Sequence, residues 1–140
     1  MSNQINHPVI VVENDPFPRL LQAFLDAQVD SQRTAAIADF VAHDIPDYPG
    51  WLAQARAGAP GLYPAEVRLV STQDELRAAL PGAHAVVTES LTIGEAELAC
   101  ADRLQVVQKY GTVLRNIDTS ACARREIGEL SRNALQPSRA

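Results

Sequence analysis

Apolar positions along this chain follow two rhythms. Residues 8–12 (PVIVV), 66–70, 85–87 and 104–108 are short runs rich in Val, with Ile, Leu and Ala, and they read as buried strands because such side chains suit an enclosed, pleated surface. Between them the apolar residues recur at helical spacing. Phe17, Leu20, Leu21, Phe24 and Leu25 predict an amphipathic helix of two or three turns that ends near Asp30, with Asp15 as its cap and Pro16 in its first turn. Ile37, Phe40 and Val41 form the stripe of a helix over 34–42, and 51–57 is a further short helix. Leu76 and Leu80 lie on a helix opened by the polar run 71–74 and stopped by Pro81-Gly82. A short helix over 92–98 and another over 119–126, capped by Asp118 or Thr119, complete the pattern.

Strands that alternate with helices imply a parallel sheet covered on both faces. The expected fold is a flavodoxin-like, three-layer α/β domain with four or five parallel strands, occupying residues 1–127. Residues 31–64 carry Pro46, Pro49, Pro60 and Pro64 and read as an elaborated connection on one face or edge of the sheet. Residues 128–140 read as a polar C-terminal tail containing Pro137. Right-handed crossovers bring the carboxyl ends of the strands to one rim, where ligands of such sheets collect. Residues 13–15, 88–92 and 110–116 should therefore be neighbours.

Composition narrows the function classes. A chain of 140 residues suits one domain with an ordinary core, and 46% hydrophobic content argues against wholesale disorder. The net charge is −5 and the basic residues are scattered, so no basic face exists for nucleic acid. Lys109 is the sole lysine, which reads as a codon bias toward arginine. Cys100 and Cys122 have no metal-like spacing and read as reduced thiols. No apolar run reaches the ~20 residues of a membrane span, and the N-terminus lacks the features of a signal peptide. A bacterial, cytoplasmic protein is expected. His43, Asp44 and Asp47, with Tyr48 beside them, are the one cluster suited to acid–base work, although it matches no standard metal-ligand set.

The stretch LQVVQKYGTVLRNID, residues 104–118, is a strand, a glycine turn and an Asn-Ile-Asp that opens a helix. With the strand and loop before it, from residue 83, it resembles the substrate-binding domain of the D-isomer-specific 2-hydroxyacid dehydrogenases. A weaker likeness extends to 8–12 and 66–80. The resemblance implies that two loops present backbone N–H groups to a substrate carboxylate. One falls on Thr88, Glu89 and Ser90, the other on Tyr110, Gly111, Thr112 and Val113. Arg115 and Asn116 follow the glycine turn. Val113 stands where the family often has a second glycine, Arg115 where it usually has an acidic residue, and Thr88-Glu89 where members acting on phosphorylated acids tend to have Arg-Ser. Arg115 could grip a carboxylate in bidentate fashion. The family's catalytic arginine, acidic partner, histidine and glycine fingerprint belong to its nicotinamide domain, which should begin about where this chain stops. No G-x-G-x-x-G occurs in the sequence.

Three functions follow. The first is a stand-alone substrate-binding domain, truncated, diverged or split from its NAD-binding domain. It would hold a small 2-oxo or 2-hydroxy acid or need a separate NAD-binding subunit, and it could not transfer hydride alone. NAD is implied for the family, with no cofactor bound by this chain by itself. The second is a non-catalytic oligomerising or regulatory module. In the family a terminal helix returns to this domain, and its loss should leave an apolar face open to a second copy or a partner. The third is a cofactor-free lyase or isomerase that uses His43 with Asp44 or Asp47.

Overall fold

The computed structural model describes residues 7–131. Five short strands build one parallel sheet: β1 (Val9–Glu13), β2 (Glu66–Val70), β3 (Ala85–Thr88), β4 (Val106–Lys109) and β5 (Gly128–Leu130). Their order is β2-β1-β3-β4-β5, which is the flavodoxin-like arrangement. The register explains how each strand is buried. Val11 pairs with Val86, and Val86 with Val107, so these three share one face. Ile10, Val12, Ala85, Val87, Val106 and Gln108 point to the other, because side chains alternate along a strand.

Among the described residues six helices accompany the sheet: α1 (Leu20–Leu25), α2 (Ser31–Phe40), α3 (Tyr48–Ala57), α4 (Gln73–Ala79), α5 (Glu95–Leu98) and α6 (Thr119–Arg124). The two faces are unequally covered. On the Val11 face, α4, α5 and α6 supply Leu76, Leu98 and Cys122 to a continuous core. Burial in that core pushes the Cys122 thiol above its ordinary pKa, so it packs as a small apolar group. On the Ile10 face, Leu21 and Leu25 of α1 pack on Ile10, Val12 and Val67, and the covering stops there. No helix among the described residues is long and apolar enough to cross a membrane.

Local chemistry moved several boundaries. The first helix ends at Leu25 and does not continue toward Asp30. Asp26 takes an extended conformation, with ψ at 126°, and its carboxylate accepts from Val67 N–H (3.0 Å) and Gln28 N–H (2.8 Å). That ties the chain to the start of β2. The second helix begins at Ser31 because the Asp30 side chain accepts from Arg33 N–H at 2.7 Å. The third begins at Tyr48, capped by Asp47. The helix expected over 92–98 shortens to Glu95–Leu98, since Gly94 is extended at its cap. Residues 128–130, expected in the tail, form β5 instead, where three residues of backbone pairing with β4 outweigh the polar local sequence. The remaining expected tail, 132–140, lies outside the described residues.

The connection over 31–64 contains α2 and α3. Trp51 meets Phe24 of α1 edge-on (5.6 Å between ring centroids) and stacks with Tyr48 (5.9 Å). Arg56 ties α3 to the last turn of α1 by donating to Phe24 O at 2.7 Å and Ala23 O at 3.2 Å. By contrast α2 buries no residue, and Phe40 is 85% exposed. Its apolar stripe faces a groove rather than the core. Replacing the fully buried Leu76 with Ala should cost about 3 kcal/mol in urea denaturation, whereas Phe40→Ala should change stability by less than about 0.5 kcal/mol.

Candidate functional site at the carboxyl rim

The carboxyl ends of β1, β3 and β4 meet at one rim, and the first contact there is internal. Glu13 closes β1 and is 8% exposed. Its Oε1 accepts from the backbone N–H groups of Glu89 (2.7 Å), Ser90 (2.8 Å) and Leu91 (3.2 Å) and from the Thr88 hydroxyl (3.0 Å). Its Oε2 accepts from the Ser90 hydroxyl at 2.6 Å. Burial opposes the charge, but the Ser90 hydroxyl and the N–H groups of Ser90, Glu89 and Leu91 together outweigh it and hold the carboxyl at a pKa of about 2, against an ordinary 4.5. The loop after β3 is a cradle for an anion, and the anion is the protein's own. The amides of Glu89 and Ser90, expected to meet a substrate carboxylate, are thus already donated. The reason is topological: β1 lies beside β3, so the end of one strand reaches the loop of the other.

Beside this clamp the second loop departs from β4. Tyr110 N–H donates to Thr88 O at 2.8 Å and Ile93 N–H to Asn116 O at 2.9 Å, so 88–93 and 110–116 are neighbours, as topology predicts. Gly111 has φ of +133°, a conformation that favours glycine. Between the loops opens a shallow cleft of about 310 Å³, lined by Glu89, Ser90, Lys109, Val113, Arg115 and Asn116. Five of those six come from the expected set. Thr88 is buried beneath, and the Tyr110 ring turns away to stack on Phe17 at 6.2 Å. Gly111 and Thr112 shape the turn without lining the cleft.

The sixth residue, Lys109, escaped the sequence reading. It is 7% exposed, its ammonium donates to Glu89 O and to Asn116 Oδ1 (2.9 Å), and no carboxylate of the described residues lies within ion-pair distance. Asn116 in turn donates to Leu91 O at 2.7 Å, which orients its oxygen toward the lysine. A signal was available: a lone lysine as the last residue of a buried strand points straight at the ligand rim. Arg115 is exposed beside it and has no ion-pair partner among the described residues. The cleft therefore carries two cationic side chains with no ion-pair partner among the described residues, beside the Glu89 carboxylate.

The acid–base cluster does not assemble. His43 and Asp44 are exposed in the turn between α2 and α3, and Asp47 is engaged as the cap of α3, accepting from Gly50 N–H at 3.1 Å. No group of metal-binding side chains occurs among the described residues.

With this geometry in view, similarity to known proteins becomes informative. Residues 51–131 match the model of the D-isomer specific 2-hydroxyacid dehydrogenase catalytic domain, more than half of the chain. The chain belongs to that family. A solved relative in fold is the NAD+-bound 3-phosphoglycerate dehydrogenase of Entamoeba histolytica, with 16% identity and a TM-score of 0.53. That match covers 90% of this chain and 33% of the other, so the chain spans about a third of that dehydrogenase. No curated protein matches the sequence.

The residues present do not fit a dinucleotide. The β1–α1 loop carries Pro16 and Pro18 in place of a glycine-rich turn, and the amide cradle after β3 is filled by Glu13. Glu13→Gln should cost about 2 kcal/mol at pH 7, since a charged acceptor of several bonds is lost. The stabilisation by a lowered carboxyl is complete above its unfolded pKa of about 4.5 and fades as pH falls toward 2. Denaturation of the two proteins across that window should show their stability difference shrinking with acidity.

Proposed function

We propose that this chain serves as the substrate-binding part of a D-2-hydroxyacid dehydrogenase. It holds a small 2-oxo or 2-hydroxy acid anion in the cleft between the loops after β3 and β4. The observation that carries this reading is Lys109, a buried ammonium without a carboxylate partner among the described residues. Burying an unpaired charge is costly, and a bound anion removes the cost. Arg115 adds a planar fork suited to a carboxylate, and Asn116 holds the ammonium in place. The site residues are then Lys109, Arg115 and Asn116, with Glu89, Ser90 and Val113 as walls and Gly111 as the turn that brings them together.

Hydride transfer needs cofactor, acid and oriented substrate at once. The reading therefore includes a nicotinamide-binding unit beyond these residues, with NAD entering through it. Calorimetric or NMR titration with pyruvate and lactate should show saturable binding at low salt. Lys109→Gln should weaken it at least tenfold, about 1.4 kcal/mol. Unchanged affinity in that variant would remove the basis of the proposal.

An assembly role is the second reading, and the sheet itself favours it. The Ile10 face is open beyond α1, leaving an apolar groove of about 580 Å³ with Val87 and Val106 in its lining and Phe17, Tyr110 and Leu130 along it. Phe17 is 62% exposed there. Strands lie ~4.8 Å apart, so β3 to β5 leave room for about one helix. Parallel sheets are ordinarily enclosed on both faces. Sedimentation should show self-association that Phe17→Glu reverses; a clean monomer in both proteins would count against this second role and leave the ligand reading intact.

A further inference from the structure

We propose a second ligand site, away from the cleft: the hollow between α1, α2 and α3 holds a small arylalkanoic acid, with its ring among apolar side chains and its carboxylate on Arg33 and Arg19. The hollow has a volume of about 400 Å³, and Leu20, Phe24, Ile37, Val41, Ile45 and Trp51 are among the residues of its wall. It shares no lining residue with the cleft of Lys109 and Arg115. Small-molecule sites usually measure ~300–1,000 Å³, so this one suits a single compact ligand. The space exists because α2 stands clear of the core and buries none of its residues. Arg33 pins that helix to α1 instead, donating from Nη1 to Gln22 Oε1 and from Nη2 to Arg19 O at 3.0 Å.

Charge and ring supply define what fits. The wall includes two arginines and no aspartate or glutamate. Arg33 is half-buried and both its acceptors are neutral, and neither Arg33 nor Arg19 has an ion-pair partner among the described residues. A guanidinium carries five N–H donors, of which Arg33 spends two, so its position is fixed while donors remain free. A carboxylate accepts such donors in pairs. A neutral ligand leaves the charge unanswered, and a cation is repelled. The apolar part of the wall is rich in rings. Trp51 meets Phe24 edge-on and stacks on Tyr48, and Phe17 and Phe40 stand exposed at the same hollow. A ligand ring that enters gains aromatic contacts worth more than the area they bury. A ring joined by a short arm to a carboxylate meets both demands.

Trp51 is the sole tryptophan of the chain, so its fluorescence reports on the hollow. Titration of the full chain with 3-phenylpropanoate at low salt should change that emission saturably. It should also shift the methyl signals of Ile37 and Val41 and leave the Gly111 and Arg115 amides unmoved. 3-Phenylpropan-1-ol and 3-phenylpropylammonium keep the ring and arm without the negative charge, and should bind at least about tenfold more weakly. Ala36 is exposed, lines the hollow and lies three residues beyond Arg33, which makes the two neighbours on the helix surface. Ala36→Glu supplies an internal carboxylate to the arginine and should weaken the acid by about tenfold or more, whereas Ala36→Gln, of the same length and uncharged, should stay within about threefold of wild type. Equal affinity for the acid and the alcohol, an affinity that Ala36→Glu leaves unchanged, or no saturable response of Trp51 would overturn the site. Shifts at Gly111 and Arg115 in place of Ile37 and Val41 would also overturn it, while supporting anion binding in the cleft.

Discussion

Glu13 organises the functional edge of this protein. A buried carboxylate at the end of β1 gathers three consecutive amides and two hydroxyls from the end of β3 and the loop after it. Without a partner of that charge, three inward-facing N–H groups would be left unsatisfied at a rim where little water enters. With it, the loop is tied to the end of β1 by five hydrogen bonds. In this arrangement the Glu89 carbonyl accepts from Lys109 and Leu91 O accepts from Asn116. The second loop is thereby registered on the first, and the cleft between them takes its shape.

The same fold shows how a buried charge is treated when it is purely structural. Glu97, in α5, is as enclosed as Glu13, and it accepts from Gly94 N–H (2.8 Å), the Gln73 amide (2.9 Å) and Arg77 (2.9 Å). Burial opposes its ionisation, and these donors lower its pKa overall. It binds α4 to α5 and has no unmet capacity. Lys109 differs, having neutral acceptors and no carboxylate within ion-pair distance among the described residues, and Glu89 differs in the opposite sense, having an oxygen without a donor. Natural structures rarely leave buried polar groups incomplete, so these two residues stand apart from Glu13 and Glu97.

Much of the architecture was legible in the sequence, and the misses have separate causes. Runs such as VIVVE and AVVT announce strands by β-branching alone, and Pro81-Gly82 ends α4 by backbone chemistry that no tertiary contact can override. The first helix was overlong because the signal that ends it is Asp26 bonding to Val67, a contact 41 residues away. The last strand was hidden because Gly128–Leu130 is too short and polar to carry a local preference; it exists through pairing with β4. Within the candidate site, residues next to the glycine turn could be named from the motif. Lys109 could not, since its importance depends on burial.

Local sequence determined the alternation of strands and helices, and with it the parallel sheet, the rim at which loops gather and the kinship those loops display. These follow from steric propensities and short-range periodicity, which need no knowledge of distant residues. Tertiary structure alone decided which of the candidate groups meet. It gave the loop amides to Glu13, made Asp47 a helix cap and left His43 in solvent, and it enclosed Lys109 beside an unsatisfied Glu89. Charge, burial and hydrogen-bond supply are properties of a place in the fold, and a place is fixed only when strands far apart in the chain come into register.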